Sequence, residues 1–81
     1  MVKFATIMNM DCKERIIKVA EEEFPGSTVV FDDNAGSTVR FRIDDSSGRT
    51  LSRAFPHYDP TEIDDWSDEK LRSVIRITCG F

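Results

Sequence analysis

Few residues in this chain have side chains suited to catalysis, and the clearest candidate is its only histidine, His57. Asp59 follows two residues later, and a carboxylate can orient an imidazole so that it acts as a general base. Nucleophilic catalysis also needs a third partner placed by the fold, and the sequence specifies none. A loop histidine that packs or forms a hydrogen bond is therefore the favoured interpretation, and we expect no catalytic residues.

The two cysteines offer a second kind of chemistry, because a thiolate is both a nucleophile and a metal ligand. Cys12 is predicted to lie in the first turn of a helix beside Lys13 and Arg15, which would lower the pKa of its thiol. A small buried side chain is the favoured alternative, and Cys79 is predicted to lie in the core. The cysteine spacing is not that of a metal site, so we expect no metal and no cofactor. We expect reduced thiols, and a Cys12–Cys79 disulfide is kept as the alternative.

The strongest pattern is an acidic stretch, Asp59 to Glu69, which holds six carboxylates and neither Lys nor Arg. Acidic side chains at a helix start stabilise it by about 0.3–1 kcal/mol each, which explains two or three of them. On one helix Asp64 and Asp68 would be like charges one turn apart, at a cost of about 0.2–0.5 kcal/mol. The spacing does not match a calcium loop. The surplus acids therefore indicate an interaction surface.

We predict that this surface binds a cationic partner protein through Asp59, Glu62, Asp64, Asp65, Trp66, Asp68 and Glu69. Trp66 fits a binding anchor, since Trp is enriched at hot spots, and it fits a core-covering side chain equally well. The triplet Glu21–Glu23 and the pair Asp32–Asp33 could extend the acidic face. If it were helical, the stretch would span ~16 Å, and duplex DNA carries roughly ten charges over that length. Six carboxylates are too few to imitate duplex DNA completely, so we expect the stretch to block only part of a nucleic-acid channel.

Four arginines in the middle of the chain form an alternative site of opposite charge: Arg40, Arg42, Arg49 and Arg53. The first two share one face of a predicted strand, ~7 Å apart, where both could contact phosphates. Single-stranded RNA would also need aromatic side chains on that face, and Phe41 lies on the opposite one. The favoured interpretation is cross-strand pairing of these arginines with aspartates, namely Asp32, Asp33, Asp44 or Asp45.

Hydrophobic spacing in the first part of the chain predicts a strand and a helix. Val2–Met8 is predicted to be a strand, although a helix also fits. Asp11 and Glu14 have the spacing of a capping box at the start of a helix that ends at Pro25-Gly26. The apolar stripe of this helix is Ile16, Ile17, Ala20 and Phe24, with Val19 beside it.

The rest of the chain predicts three strands followed by a helix. Val29–Phe31, Val39–Ile43 and Leu51–Phe55 are rich in β-forming residues and are separated by turn sequences. Leu71–Thr78 has helical spacing, with Gly80 as its stop. The candidate caps for this last helix are Thr61 and Ser67.

These elements predict an α+β fold, a β-α-β-β-β-α single domain over residues 1–81. Its antiparallel sheet of three or four strands would carry two helices packed on one face. The central α-β-β-β-α order resembles the topology of double-stranded-RNA-binding domains. Asp68-Glu69 stands where that family carries Lys, so none of the family's functional residues is transferred to this chain.

Composition narrows the function further. No run of ~18 apolar residues and no signal-peptide pattern is present, so we expect no membrane span and a cytoplasmic location. The net charge of −4 argues against a dedicated polyanion binder. In size and charge the chain resembles phage-encoded inhibitors of nucleic-acid-directed defence, such as anti-CRISPR and anti-restriction proteins. The sequence thus predicts a non-enzymatic acidic protein-binding module. The alternative is a nucleic-acid-binding or regulatory module that uses the arginines. The sequence is compatible with a homodimer as well as with a monomer.

Overall fold

The computed structural model describes residues 12–81 of the chain. In that part the elements follow the order α1 (Cys12–Glu23), β1 (Thr28–Phe31), β2 (Phe41–Asp44), α2 (Pro60–Asp64) and α3 (Asp68–Thr78). The described residues therefore form an α+β arrangement of a two-stranded antiparallel sheet and three helices. The strand predicted over Val2–Met8 and the cap predicted at Asp11 lie outside the described residues.

Helix α1 places one apolar face in the core. Its buried residues are Cys12, Ile16, Val19 and Ala20. The predicted stripe included Ile17, but this side chain is 44% exposed and Val19 takes its place. Glu14 lies in the first turn, where a negative charge favours the helix dipole. The last turn carries no basic residue, so the acidic end of α1 depends on cations from elsewhere in the fold.

Strands β1 and β2 pair in an antiparallel register that sets Val29 opposite Ile43 and Phe31 opposite Phe41. Side chains on successive strand residues point to opposite faces, and burial alternates accordingly along both strands. The four residues just named face the core, and Ile43 is completely buried. The other face carries Val30 and Arg42, which are paired with each other and exposed.

The third strand predicted over Leu51–Phe55 is not confirmed. The amide of Leu51 bonds the carbonyl oxygen of Ile43 in β2, but among the described residues the only bridges nearby are isolated and flank the segment: Asp44 with Thr50, and Val39 with Tyr58. Its backbone leaves the sheet early, because the amide of Arg53 donates to the carbonyl oxygen of Thr78 at the end of α3 (2.7 Å). A strand whose amides bond a helix end cannot continue a sheet ladder.

The sequence predicts one final helix, and the chain forms two. Asp59 caps α2 by accepting from the amide of Thr61, and Pro60 occupies the first turn, where its missing N–H costs nothing. Ser67 caps α3 by accepting from the amide of Lys70 at 3.1 Å. A helix therefore starts near each of the two predicted caps. Ser67 is the cap of α3, as predicted, and Asp59, not Thr61, is the cap of α2.

One hydrophobic cluster joins the described elements. It includes Ile16 of α1, Ile43 of β2, Ile63 of α2, and Leu71 and Ile75 of α3, all fully buried. Helices α1 and α3 run in the same direction, because their ion pairs join start to start and end to end: Arg15 with Asp68, and Glu23 with Arg76. None of the helices in the described part of the chain has the length and hydrophobicity needed to span a bilayer.

Candidate functional site

The predicted partner-binding residues lie together around the junction of α2 and α3, which we call the acidic corner: Asp59, Glu62, Asp64, Asp65, Trp66, Asp68 and Glu69. All six carboxylates belong to exposed residues. The three-residue connection from Asp65 to Ser67 turns the chain between the two helices. The local sequence therefore presents the acids on a bend instead of along one continuous helix.

Two of the six carboxylates are used by the fold itself. Asp59 accepts from the hydroxyl of Thr61 at 2.7 Å and from its amide at 2.9 Å. These bonds, the hydroxyl first, hold the pKa of Asp59 below its ordinary value of 3.8. Asp68 forms an ion pair of 3.0 Å with Arg15. Both carboxylates thus have structural roles that would exist without any partner.

The other four carboxylates differ from these two. Glu62, Asp64, Asp65 and Glu69 form no side-chain hydrogen bond or ion pair with another residue of the range 12–81. Asp64 is also the last residue of α2, the end where the helix dipole disfavours a negative charge. Internal pairing therefore neutralises only part of the acidic corner.

Trp66 is half-buried and covers the core beside the acids. Its ring meets Tyr58 edge-on, with ring centroids 5.2 Å apart and an interplanar angle of 82°. Tyr58 in turn stacks against Phe41 of the core at 6.3 Å. The ammonium of Lys70 lies 5.3 Å from the centroid of the Trp66 ring, a cation–π distance. These contacts are those of a core-covering side chain, and Lys70 adds one positive charge at the rim of the corner.

Arg15 fixes the corner to helix α1. Its guanidinium donates to the carbonyl oxygens of Ile63 at 3.0 Å and Trp66 at 2.7 Å, besides pairing with Asp68. The side chain is only 17% exposed. One planar group with several donors thus bonds one carbonyl within α2, one carbonyl in the connection after it, and one carboxylate at the start of α3. No feature of the sequence signalled this role.

The acidic corner does not extend into the wider acidic face that the sequence suggested. On α1, Glu22 pairs with Arg72 at 2.8 Å, and Glu23 pairs with Arg72 at 3.1 Å and Arg76 at 3.6 Å. These arginines supply the cations that the last turn of α1 lacks. At the sheet, Asp32 pairs with Arg40 at 3.4 Å. Most of the additional acids therefore serve the packing of the domain.

The four arginines of the alternative site do not form one surface. Arg40 pairs with Asp32 across the hairpin, as predicted. Arg42 pairs with Asp44 of its own strand, so the predicted cross-strand pairing is wrong for this residue. Arg53 lies instead against Gly80 beyond the end of α3. Arg49 follows the turn in which Asp45 accepts from its amide.

Phe55 is not among the site residues that the sequence indicates, because its segment is predicted to be a third strand. In the structure it is 39% exposed, and its ring centroid lies 5.8 Å from the guanidinium of Arg40. Together with Val30 and Arg42 these side chains line an open groove of about 340 Å³ on the outer face of the sheet, which we call the sheet groove. The departure of the segment from the sheet turns Phe55 outward, and local sequence gives no signal for that.

The catalytic candidates are separated by the fold. Nδ1 of His57 lies 3.0 Å from the hydroxyl of Thr38, which itself donates to the carbonyl oxygen of Ala35. The single hydroxyl hydrogen of Thr38 cannot serve both contacts, so its bond to Ala35 requires Nδ1–H of His57 to be the donor to Thr38. Asp59 bonds Thr61 instead of His57. These contacts are those of the loop histidine that the sequence favours.

Both cysteines are buried, and the Cys12–Cys79 bridge considered from the sequence is not formed. Burial raises the pKa of the Cys79 thiol above its ordinary value. Cys12 is 7% exposed, which favours the interpretation as a small buried side chain. Across residues 12–81, no group of histidine, cysteine and acidic side chains is arranged to hold a metal ion.

No family model, curated protein or solved structure matches the chain. The function proposed below therefore follows from the residues of the chain alone.

Proposed function

We propose that this protein is a non-enzymatic binding module that presents its acidic corner to a cationic surface of a partner protein. The observation that carries the proposal is the division among the six acids. Two of them stabilise the fold, while Glu62, Asp64, Asp65 and Glu69 remain exposed without a partner among residues 12–81.

Electrostatics explains why such a division favours binding. Exposed like charges repel one another and oppose folding slightly. A cationic partner removes that repulsion and gains complementary contacts, which mainly raise the association rate and the specificity. Arg15 holds both helices of the corner through three hydrogen bonds. The backbone that carries the acids is therefore held in one geometry, and only their side chains have to be ordered when a partner binds.

The partner that fits this chemistry is a protein whose basic surface normally contacts nucleic acid. Exposed carboxylates on a bend can occupy part of a phosphate-binding channel without imitating a full duplex. In this proposal the protein acts in the cytoplasm as an inhibitor of the phage-encoded type, such as an anti-CRISPR or anti-restriction protein. The partly exposed side of Trp66 would lie at the centre of the contact, with Lys70 at its rim.

A matched pair of charge reversals tests the proposal. Asp64→Lys/Asp65→Lys changes the acidic corner, and Glu21→Lys/Asp33→Lys makes the same change in net charge elsewhere on the exposed surface. Tagged wild type and both variants are used to capture proteins from a host lysate, and each captured protein is identified and its affinity measured with purified components.

The expected result is a nucleic-acid-binding protein captured by the wild type and by the control variant, and lost from the corner variant. Retention of that partner by the corner variant would remove the proposal. Equal loss of the partner from both variants would show that capture depends on net charge alone. That result would also contradict the acidic corner as a defined binding site.

A further inference from the structure

The outer face of the sheet forms a second candidate binding surface, and its chemistry differs from that of the acidic corner. Val30 and Arg42 face each other across the two strands, and both are exposed. Phe55 projects from the extended segment at the edge of β2 and closes one side of the sheet groove. An exposed aromatic ring, an apolar residue and two arginines thus line one groove.

Arg40 and Phe55 are held together as a preformed stacking platform. Nε of Arg40 donates to the carbonyl oxygen of Phe55 at 3.0 Å, and the guanidinium lies 5.8 Å from the centroid of its ring. The hydrogen bond and the cation–π contact fix the ring and the charge relative to each other. Nucleobases stack on this combination of groups, because every base has an aromatic face.

The two arginines also keep donors for an anion. Arg42 binds Asp44 through Nε and Nη2, and Arg40 binds Asp32 through Nη1 at 3.4 Å. Nη1 of Arg42 and Nη2 of Arg40 therefore have no partner among the residues described. The arginine side chains are 46% and 39% exposed, and exposed ion pairs contribute little stability, so a phosphate can compete with the aspartates.

From these contacts we propose that the sheet groove binds a short single-stranded segment of nucleic acid. One base stacks on Phe55, and the neighbouring phosphate is contacted by Arg42. The acidic corner and the net charge of −4 repel a long polyanion, so the site accepts only a few nucleotides. The inference uses residues that the proposed function does not, and each can fail without the other.

A titration of isotope-labelled protein followed by NMR tests this inference at low salt. The probe is an oligothymidylate of about six nucleotides, within the usual range of site sizes. The expected result is a saturable shift of the amide signals of Val30, Arg42 and Phe55 that weakens as salt is raised. An acidic peptide that contains one Phe is titrated in parallel as the rival occupant.

Variants separate stacking from charge. Phe55→Ala should weaken binding by roughly tenfold, the effect of one lost base stack. Phe81→Ala removes a more exposed ring elsewhere, 71% against 39%, and should change nothing. Arg42→Gln should lower the slope of log K against log salt by about one, whereas Lys18→Gln on α1 should not.

A third variant removes a negative charge from the groove. Asp32→Asn keeps the acceptor for the amide of Asn34 but removes the charge beside Arg40, so it should tighten binding of the oligonucleotide.

Three results would overturn the inference. The first is the absence of saturable shifts with the oligonucleotide at low salt. The second is oligonucleotide binding that Phe55→Ala leaves unchanged, which would reduce the groove to a charge contact. The third is a response of the groove residues to the peptide but not to the oligonucleotide. The peak pattern of each variant reports its fold in the same experiment.

Discussion

The carbonyl oxygen of Trp66 accepts a hydrogen bond of 2.7 Å from Nη2 of Arg15, 51 residues earlier in the sequence. The same guanidinium reaches the carbonyl oxygen of Ile63 and the carboxylate of Asp68. A single side chain on α1 therefore determines how α2 and α3 meet. The position of the acidic corner depends on a residue outside it.

Replacing Arg15 by Met should lower the free energy of unfolding by about 2–3 kcal/mol, because two carbonyls and one carboxylate lose a charged donor. Arg15→Lys should recover only part of this loss, since an ammonium lacks the planar fork. Urea unfolding at neutral pH measures both effects. Arg49→Met is the control, because Arg49 is exposed; a loss for Arg15→Met as small as for this control would contradict the assigned role.

Gly80 ends α3 in a conformation that a side chain disfavours. Its φ is +83°, and its amide and that of Phe81 bond the carbonyl oxygens of Ile77 and Arg76, which is the Schellman pattern. A Cβ on Gly80 would lie 2.8 Å from Nε of Arg53. Gly80→Ala should therefore cost more than about 1 kcal/mol in unfolding free energy.

Gly36→Ala provides the control for that prediction, because Gly36 also has a positive φ, +68°, while its Cβ would meet no atom within 4 Å. The difference between the two variants then measures the contact with Arg53. Equal losses in urea unfolding would mean that the side chain of Arg53 moves aside freely, and its contact with Gly80 would then contribute no stability.

The lowered pKa of Asp59 makes a small part of the stability depend on pH. Because the pKa in the folded state lies below the ordinary value of 3.8, the ionised form stabilises the fold above that pH. The contribution is lost as the pH falls through the folded-state pKa. Thr61→Ala removes the hydroxyl donor, so the pKa of Asp59 should rise towards its ordinary value.

Carbon-detected NMR of the aspartate carboxyl groups between about pH 2 and pH 6 measures this change directly. Asp45 serves as an internal control, because its pKa is lowered by a separate set of bonds, the Ser47 hydroxyl first. Its titration should be the same in both proteins. An unchanged Asp59 titration in Thr61→Ala would disprove the assigned cause.

The unpaired acids of the corner should be dispensable for folding. Asp64→Lys/Asp65→Lys removes two exposed carboxylates that no residue in the range 12–81 contacts by hydrogen bond or ion pair. We expect the unfolding free energy to fall by no more than about 0.5 kcal/mol, or to rise, since Asp64 lies at the unfavourable end of α2. A larger loss in urea unfolding would assign these acids to the fold.

Features set by neighbouring residues were predictable from the sequence. The apolar spacing of Leu71 and Ile75 predicts α3, and the alternation around Phe41 predicts β2. Pairing of Arg40 with an aspartate across the hairpin was also predicted. In each case the partners lie within one element or across one hairpin, where spacing alone fixes the geometry.

Features that depend on distant parts of the chain were not predictable. The segment Leu51–Phe55 has the composition of a strand, but the end of α3 takes the amide of Arg53 and turns Phe55 outward. Likewise Arg15 looked like a neighbour of Cys12 until the fold brought it to Trp66. A single sequence indicates the secondary structure that each segment prefers. Hydrogen bonds between distant backbone groups then determine whether the segment adopts it.

Because α1 and α3 run in the same direction, the chain must return along the length of both helices before the second can dock on the first. The hairpin and the extended segment provide this return, and the bonds that then form span about 50 residues, as between Glu22 and Arg72. During synthesis the part of the apolar face of α1 that α3 covers stays exposed until α3 has left the ribosome. We therefore expect slower folding than for a helical chain of this size whose contacts are local.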